Sequence, residues 1–176
     1  MSSQEYFFYL TPSALPYKQD FVKYVMDPRG WTGNGFKFSI TEEVQKANVH
    51  VYFKTNTQLK QLFHHISYFE TELQGLSITD SSDEDNIKIY FNANNWNSPP
   101  TVFTVYDEKQ RIVPRTERLQ MYRAYLVQHE VGHAIGYDHP EQVEYAKKIY
   151  PCHPMQQQTK GTSMCKANPW ISDFCG

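Results

Sequence analysis

The chain has 176 residues, with 17 basic against 19 acidic side chains, a net charge of −2 and an isoelectric point near 6.4. That balance leaves no electrostatic footprint for nucleic acid or an anionic membrane surface, and no stretch approaches the roughly 20 apolar residues that span a bilayer. The length suits one domain with a real core.

In chain order, Glu5–Leu10 is rich in aromatics and reads as a first strand. Its flank MSSQEYFFYLTPS has no basic leader and too short an apolar run for a signal peptide, so the expected compartment is the cytoplasm unless a leader has been removed. Pro16 opens a helical pattern that places Phe21, Val22, Val25 and Met26 on one side and ends at DPRG, 27–30. Strand-like runs follow at 36–40 and 49–53, the second alternating as VHVYF. Two more strands are expected at 76–79 and 87–92, joined by TDSSDEDN. That acidic turn lacks the ordered spacing of a calcium loop and reads as a solvated hairpin tip. A second hairpin is expected at 102–113. The longest helical pattern then runs from Thr116 to Gly136, with Leu119, Tyr122, Leu126, His129 and His133 recurring on one face. A shorter helix is expected at 141–149, before Pro151. Strands come first and a long helix follows, which gives an α+β class.

The long helix ends in HEVGHAIGYDH, residues 129–139. His129 and His133, four apart, lie roughly 40° apart around the axis and one turn apart along it, so both imidazoles can meet one metal ion. His139 is six residues further, a rise of roughly 9 Å on a continued helix. A zinc–nitrogen bond is only about 2.0–2.1 Å, so His139 reaches the same ion only if the helix stops first. Gly136 supplies that stop, because it lacks a Cβ and takes positive φ readily. Three imidazoles around zinc leave a fourth position open, as catalytic rather than structural sites do. Glu130 lies beside the ligand face, where a carboxylate misses the metal and overhangs a water in that open position. The chemistry implied is metal-assisted amide hydrolysis.

HEVGHAIGYDH has every fixed position of the metzincin motif H-E-x-x-H-x-x-G-x-x-H, and here the sequence resembles that family. It is similar more narrowly to a group of metzincin-like domains found mainly in actinobacteria. The stretches that carry this likeness are DPRGWTGNGFKFS, ANVHVYF, YRAYLVQHEVGHAIGYDHP and HPMQQQTKGTSMCKANPW, and it covers roughly residues 18–175. The resemblance implies a zinc endopeptidase with a twisted, mostly parallel sheet, an antiparallel edge strand and a long active-site helix. Its cleft would run between an upper subdomain, about 1–138, and a small C-terminal one, about 139–176. It also implies a methionine turn beneath the metal. Met155 in HPMQQQT matches, and Met164 competes. Pro140 resembles the serralysin branch at one position. Some branches place a tyrosine two residues after the turn methionine; Gln157 stands there instead, and no oxyanion-stabilising side chain is assigned.

His50, His64 and His65 lack ligand spacing and read as structural or solvated, whereas His153 flanks the turn beside the site. Asp138 and Glu141 are placed to orient His139 but look equally like surface residues after a helix end. Trp31, Trp96 and Trp170 read as core. Cys152 and Cys165 bracket the proposed turn and invite a disulfide; Cys165–Cys175 and three reduced thiols are the alternatives. The expected molecule is therefore a monomeric metzincin-like protease acting on protein or peptide, with one zinc on His129, His133 and His139, Glu130 as general base and Met155 in the turn. Neither nucleic acid nor membrane is an expected partner. The other class in play is a zinc-containing peptide-binding or structural module that keeps the site without turnover.

Overall fold

The computed structural model describes residues 5–140, 150–162 and 165–175. It is a mixed α+β architecture. β1 (Glu5–Leu10) leads through a short 3-10 turn at Leu15–Tyr17 into α1 (Lys18–Val25). Next come β2 (Lys37–Ile40), β3 (Val49–Lys54), α2 (Asn56–Phe63), β4 (Ile78–Asp80) and β5 (Ile87–Asn92). α3 (Ala93–Asn97), α4 (Arg115–Ala134) and the terminal α5 (Ile171–Cys175) complete the order. The five strands form one sheet in the order β2-β1-β3-β5-β4, parallel throughout except for β4, which pairs antiparallel with β5 at one edge.

Alternation along the strands decides which face is buried. Phe8, Val49, Val51, Ile89 and Phe91 are fully enclosed on the face toward α1 and α4. Their neighbours Tyr52 and Tyr90 stack on the other face at 4.8 Å between ring centroids, and Phe63 of α2 meets the Tyr90 ring edge-on at 5.1 Å. Aromatic rings thus cover that second face, which a mostly parallel sheet must shield by some means.

α4 departs from the one-sided helix that its periodicity predicts. From Ala124 to Gly132 every residue is buried, because α1, α3 and the C-terminal segment close over the flanks that the sheet leaves. Gln128 illustrates the outcome: its Nε2 donates to the Tyr24 carbonyl at 2.7 Å, and the Gln128 carbonyl accepts from Trp31 Nε1 at 2.8 Å. Trp31, Trp96 and Trp170 are all buried, as expected.

Several elements differ from the sequence-based expectation. The edge strand lies at 78–80 rather than 76–79, since Ser77 leaves the ladder to accept from the Asn92 N–H at 2.9 Å. The hairpin at 102–113 reduces to a single antiparallel bridge, Tyr106 with Ile112. There the Phe103 carbonyl accepts from Arg118 Nε at 2.7 Å and the Thr104 N–H donates to Thr162 at 2.9 Å, so side chains satisfy backbone that a ladder would otherwise pair. Helices α2 and α3 were not foreseen. The helix expected at 141–149 and the competitor Met164 lie outside the described residues. No helix among the described residues is long and apolar enough to cross a membrane.

Candidate metal centre

α4 delivers two histidines and then stops. Gly136 takes φ 105°, the Tyr137 N–H donates back to the Gly132 carbonyl at 2.9 Å, and the Gly136 N–H donates to the His133 carbonyl at 3.1 Å. This is a Schellman cap, with glycine at the left-handed position. The reversal returns His139 to the helix end. Its Nε2 lies 3.2 Å from His129 Nε2 and 3.2 Å from His133 Nε2.

Those short distances have a definite chemical meaning. His129 Nδ1 is 2.9 Å from the Pro154 carbonyl, and His133 Nδ1 is 2.9 Å from the Tyr137 carbonyl. A carbonyl only accepts, so both Nδ1 atoms carry the proton and both Nε2 atoms present lone pairs. His139 has at most one Nε2 proton to offer between them. Three nitrogens crowded in this way are what a cation explains: two bonds of about 2.0–2.1 Å at a tetrahedral angle hold their nitrogens roughly 3.3 Å apart. Burial favours the neutral form of each ring. Burial pushes His129 down to about 3, with His133 adding to it. Burial and then His139 lower His133; burial lowers His139, against the pull of Asp138. The three-histidine group can hold a metal ion, and it is the one such group among the described residues.

Glu130 is buried beside this cluster at 3 % exposure. Burial pushes its carboxyl up to about 7, opposed by a hydrogen bond from the Thr79 hydroxyl. It borders a cavity of ≈590 Å³ that also takes in His133, His139, Gln157, Lys160 and the β4 residues Ile78 and Thr79. The cavity thus runs along the open edge of the sheet and past the histidines.

Beneath the cluster, residues 153–156 make a tight turn, the Gln156 N–H donating to the His153 carbonyl at 2.9 Å with Pro154 second in the turn. Met155 is fully buried. A Cβ at Gly132 would overlap its sulfur, so the glycine between the two helical histidines is what lets the methionine approach. The same turn supplies the Pro154 carbonyl that fixes His129. Tyr125, buried in the preceding turn of α4, has its hydroxyl 3.1 Å from the Gln156 carbonyl and 3.1 Å from Gln157 Oε1. Cys152 and Cys165 are joined by a disulfide across this region, which leaves no thiol at 165 for the rival pairing.

Of the remaining histidines, His50 packs edge-on against Tyr9 on the sheet, and His64 is exposed with Nδ1 near the Lys60 carbonyl. His153 accepts from the Met155 N–H at 3.0 Å and so braces the turn. Asp138 accepts from the backbone N–H of His139 at 2.8 Å, and Glu141 lies outside the described residues. Sequence reasoning missed three contributors. Pro154 and Tyr137 act through backbone carbonyls, which any residue possesses. Thr79 reaches Glu130 across 51 positions, with no local pattern to announce it.

The chain belongs to the family described as "Protein of unknown function (DUF3152)", whose profile matches residues 17–171. Among solved structures, one described as the structure of myroilysin aligns with a TM-score of 0.44 and 13% identity, over 79% of this chain and 50% of that one. The chain therefore spans about half the length of that protein. No curated protein matches it.

Proposed function

We propose that this member of the DUF3152 family is a zinc-dependent endopeptidase of metzincin type. His129, His133 and His139 are the metal ligands, Glu130 is the general base and Met155 is the turn methionine. One observation carries the reading: three Nε2 atoms converge, that of His139 lying 3.2 Å from each of the other two, next to a buried carboxylate that opens on a cleft. Neutral imidazoles suit zinc, and three of them leave a position for substrate chemistry. A zinc ion held there supplies Lewis acidity, polarising a carbonyl and lowering the pKa of water toward roughly 7.

The rest falls to the chain's own residues. Glu130 accepts the proton of the attacking water and later delivers it to the departing amine, a role for which its enclosed carboxylate is close at hand. The free edge of β4 offers unpaired N–H and C=O groups to an extended peptide, which would add to the sheet and lie across the histidines. A site kept for binding alone has no use for a buried carboxylate without a cationic partner, whose burial costs stability.

The test is to expose the zinc-loaded protein to a diverse peptide library and identify products by mass spectrometry, alongside metal analysis of protein purified without added metal. Near-equimolar zinc with new termini inside the peptides is the expected result. Zinc without any cleavage would favour the binding module instead.

A further inference from the structure

We propose that Thr79 is a positioning residue for the base: its hydroxyl, presented from the edge strand, holds one oxygen of Glu130 so that the other faces the histidines. The inference rests on the function proposed above.

Thr79 Oγ1 lies 2.6 Å from Glu130 Oε2 and 3.2 Å from the Glu130 carbonyl. A hydroxyl has one proton, and the shorter contact has the length of a charge-assisted O–H···O⁻ bond, so the carboxylate takes it. Glu130 Oε1 has no hydrogen-bond partner among the described residues, yet no buried side-chain oxygen there lacks a partner altogether, so Oε1 reaches the cavity that Glu130 borders. The two oxygens are thereby divided between tasks. Oε2 is tied to the sheet, and Oε1 remains to take a proton.

The arrangement answers a problem that the helix creates. Glu130 is adjacent to His129, so its Cα direction sets the carboxylate to the side of the ligand face rather than over it. Three side-chain torsions separate the carboxylate from the backbone, and no cationic side chain pairs with it among the described residues. Among the described residues Thr79 supplies the missing constraint. It stands mid-strand, in register with Ile89 of β5, so the ladder fixes its height along the sheet. The strand whose edge receives the peptide is thus also the strand that aims the base, and both reacting partners are indexed to one element. A displacement near 1 Å at such a site costs on the order of 10²-fold in rate.

The experiment compares the zinc-loaded parent with Thr79→Val, Thr79→Ser and Thr79→Ala. Valine keeps the branched shape that suits a strand and removes only the donor; serine keeps the donor; alanine stands in for valine should valine not fold. On a quenched fluorescent peptide drawn from the library hits, kcat should fall about 10- to 100-fold in Thr79→Val, with KM and zinc content unchanged, and return to near the parent value in Thr79→Ser. Equal kcat in parent and valine variant overturns the proposal, as does a loss confined to KM. A second readout needs no turnover: crystal structures of the same proteins should show the Glu130 carboxylate in one position in parent and serine variant and spread over several in the valine variant. A carboxylate equally ordered in all of them overturns the positioning role. A parent that cleaves no peptide but shows the expected ordering separates the outcomes, since the endopeptidase reading then fails while Thr79 still positions Glu130.

Discussion

Replacing Glu130 by glutamine isolates the chemistry from the scaffold. The two side chains are nearly isosteric, and Glu130 is 3 % exposed within a helix whose burial is complete from 124 to 132, so the shape of the site has little room to change. The amide oxygen can still accept from Thr79, which keeps the 2.6 Å contact chemically sensible. Its other end is then an NH₂ group, a donor where the reaction needs an acceptor. General base catalysis commonly contributes 10²–10⁴-fold, about 3–5 kcal/mol of barrier. The loss here should fall at the upper end, because the other carboxylates that line the cavity, Glu72 and Asp138, are exposed. Stability should move the other way: removing a buried charge that pairs with no cation among the described residues leaves the metal-free variant melting at or above the parent. Cleavage rate, zinc per chain and thermal melting on the same preparations settle the matter. If the parent cleaves peptides and the glutamine variant keeps pace with it, Glu130 is not the base.

His139→Ala should lose most of its zinc on gel filtration while α4 stays folded by circular dichroism, since the third nitrogen comes from beyond the cap; full retention of zinc would rule out the three-ligand cage. Gly132→Ala drives a methyl group into Met155 and to 3.0 Å from Trp31 Cζ2. Overpacking of about 1–3 kcal/mol should outweigh the roughly 1 kcal/mol of helix propensity gained, so urea unfolding should come earlier, and later unfolding would show that the contact is slack. The Cys152–Cys165 bond closes a separation of 13 residues, for which chain entropy gives about 3 kcal/mol. Its removal by double alanine substitution should lower unfolding free energy by that order and weaken zinc retention, and peptide mapping without reduction should recover the linked pair.

Legibility in the sequence followed the range of the forces involved. Glu5–Leu10, Ile87–Asn92 and the helix after Pro16 stand where their patterns place them, because alternation and 3.6-residue spacing report burial directly. α2 went unseen although its start was written: Thr55 and Gln58 form a reciprocal capping box, a four-residue signal easily lost in a polar stretch. α3 is announced only by Asn92, whose side chain caps it at the end of a strand. Periodicity predicts one buried face for α4 because it records a contrast between sides, and here the contrast vanishes where α1, α3 and the C-terminal segment all press on it.

The candidate site divides along the same line. Spacing alone constrains three histidines and a glycine, since a metal–nitrogen bond near 2 Å leaves the backbone few ways to bring the third ligand home. What spacing cannot contain is the second layer that makes the rings usable: the Pro154 and Tyr137 carbonyls that choose their tautomers, and the Thr79 hydroxyl that orders the carboxylate. Each comes from a different part of the chain. Tyr137 belongs to the cap that ends α4, Pro154 to the turn braced by the disulfide, and Thr79 to the sheet edge. The arrangement of the three histidines and Glu130 therefore depends on cap, turn and sheet holding station together, and damage to any one of them should register in that arrangement before it registers in the fold.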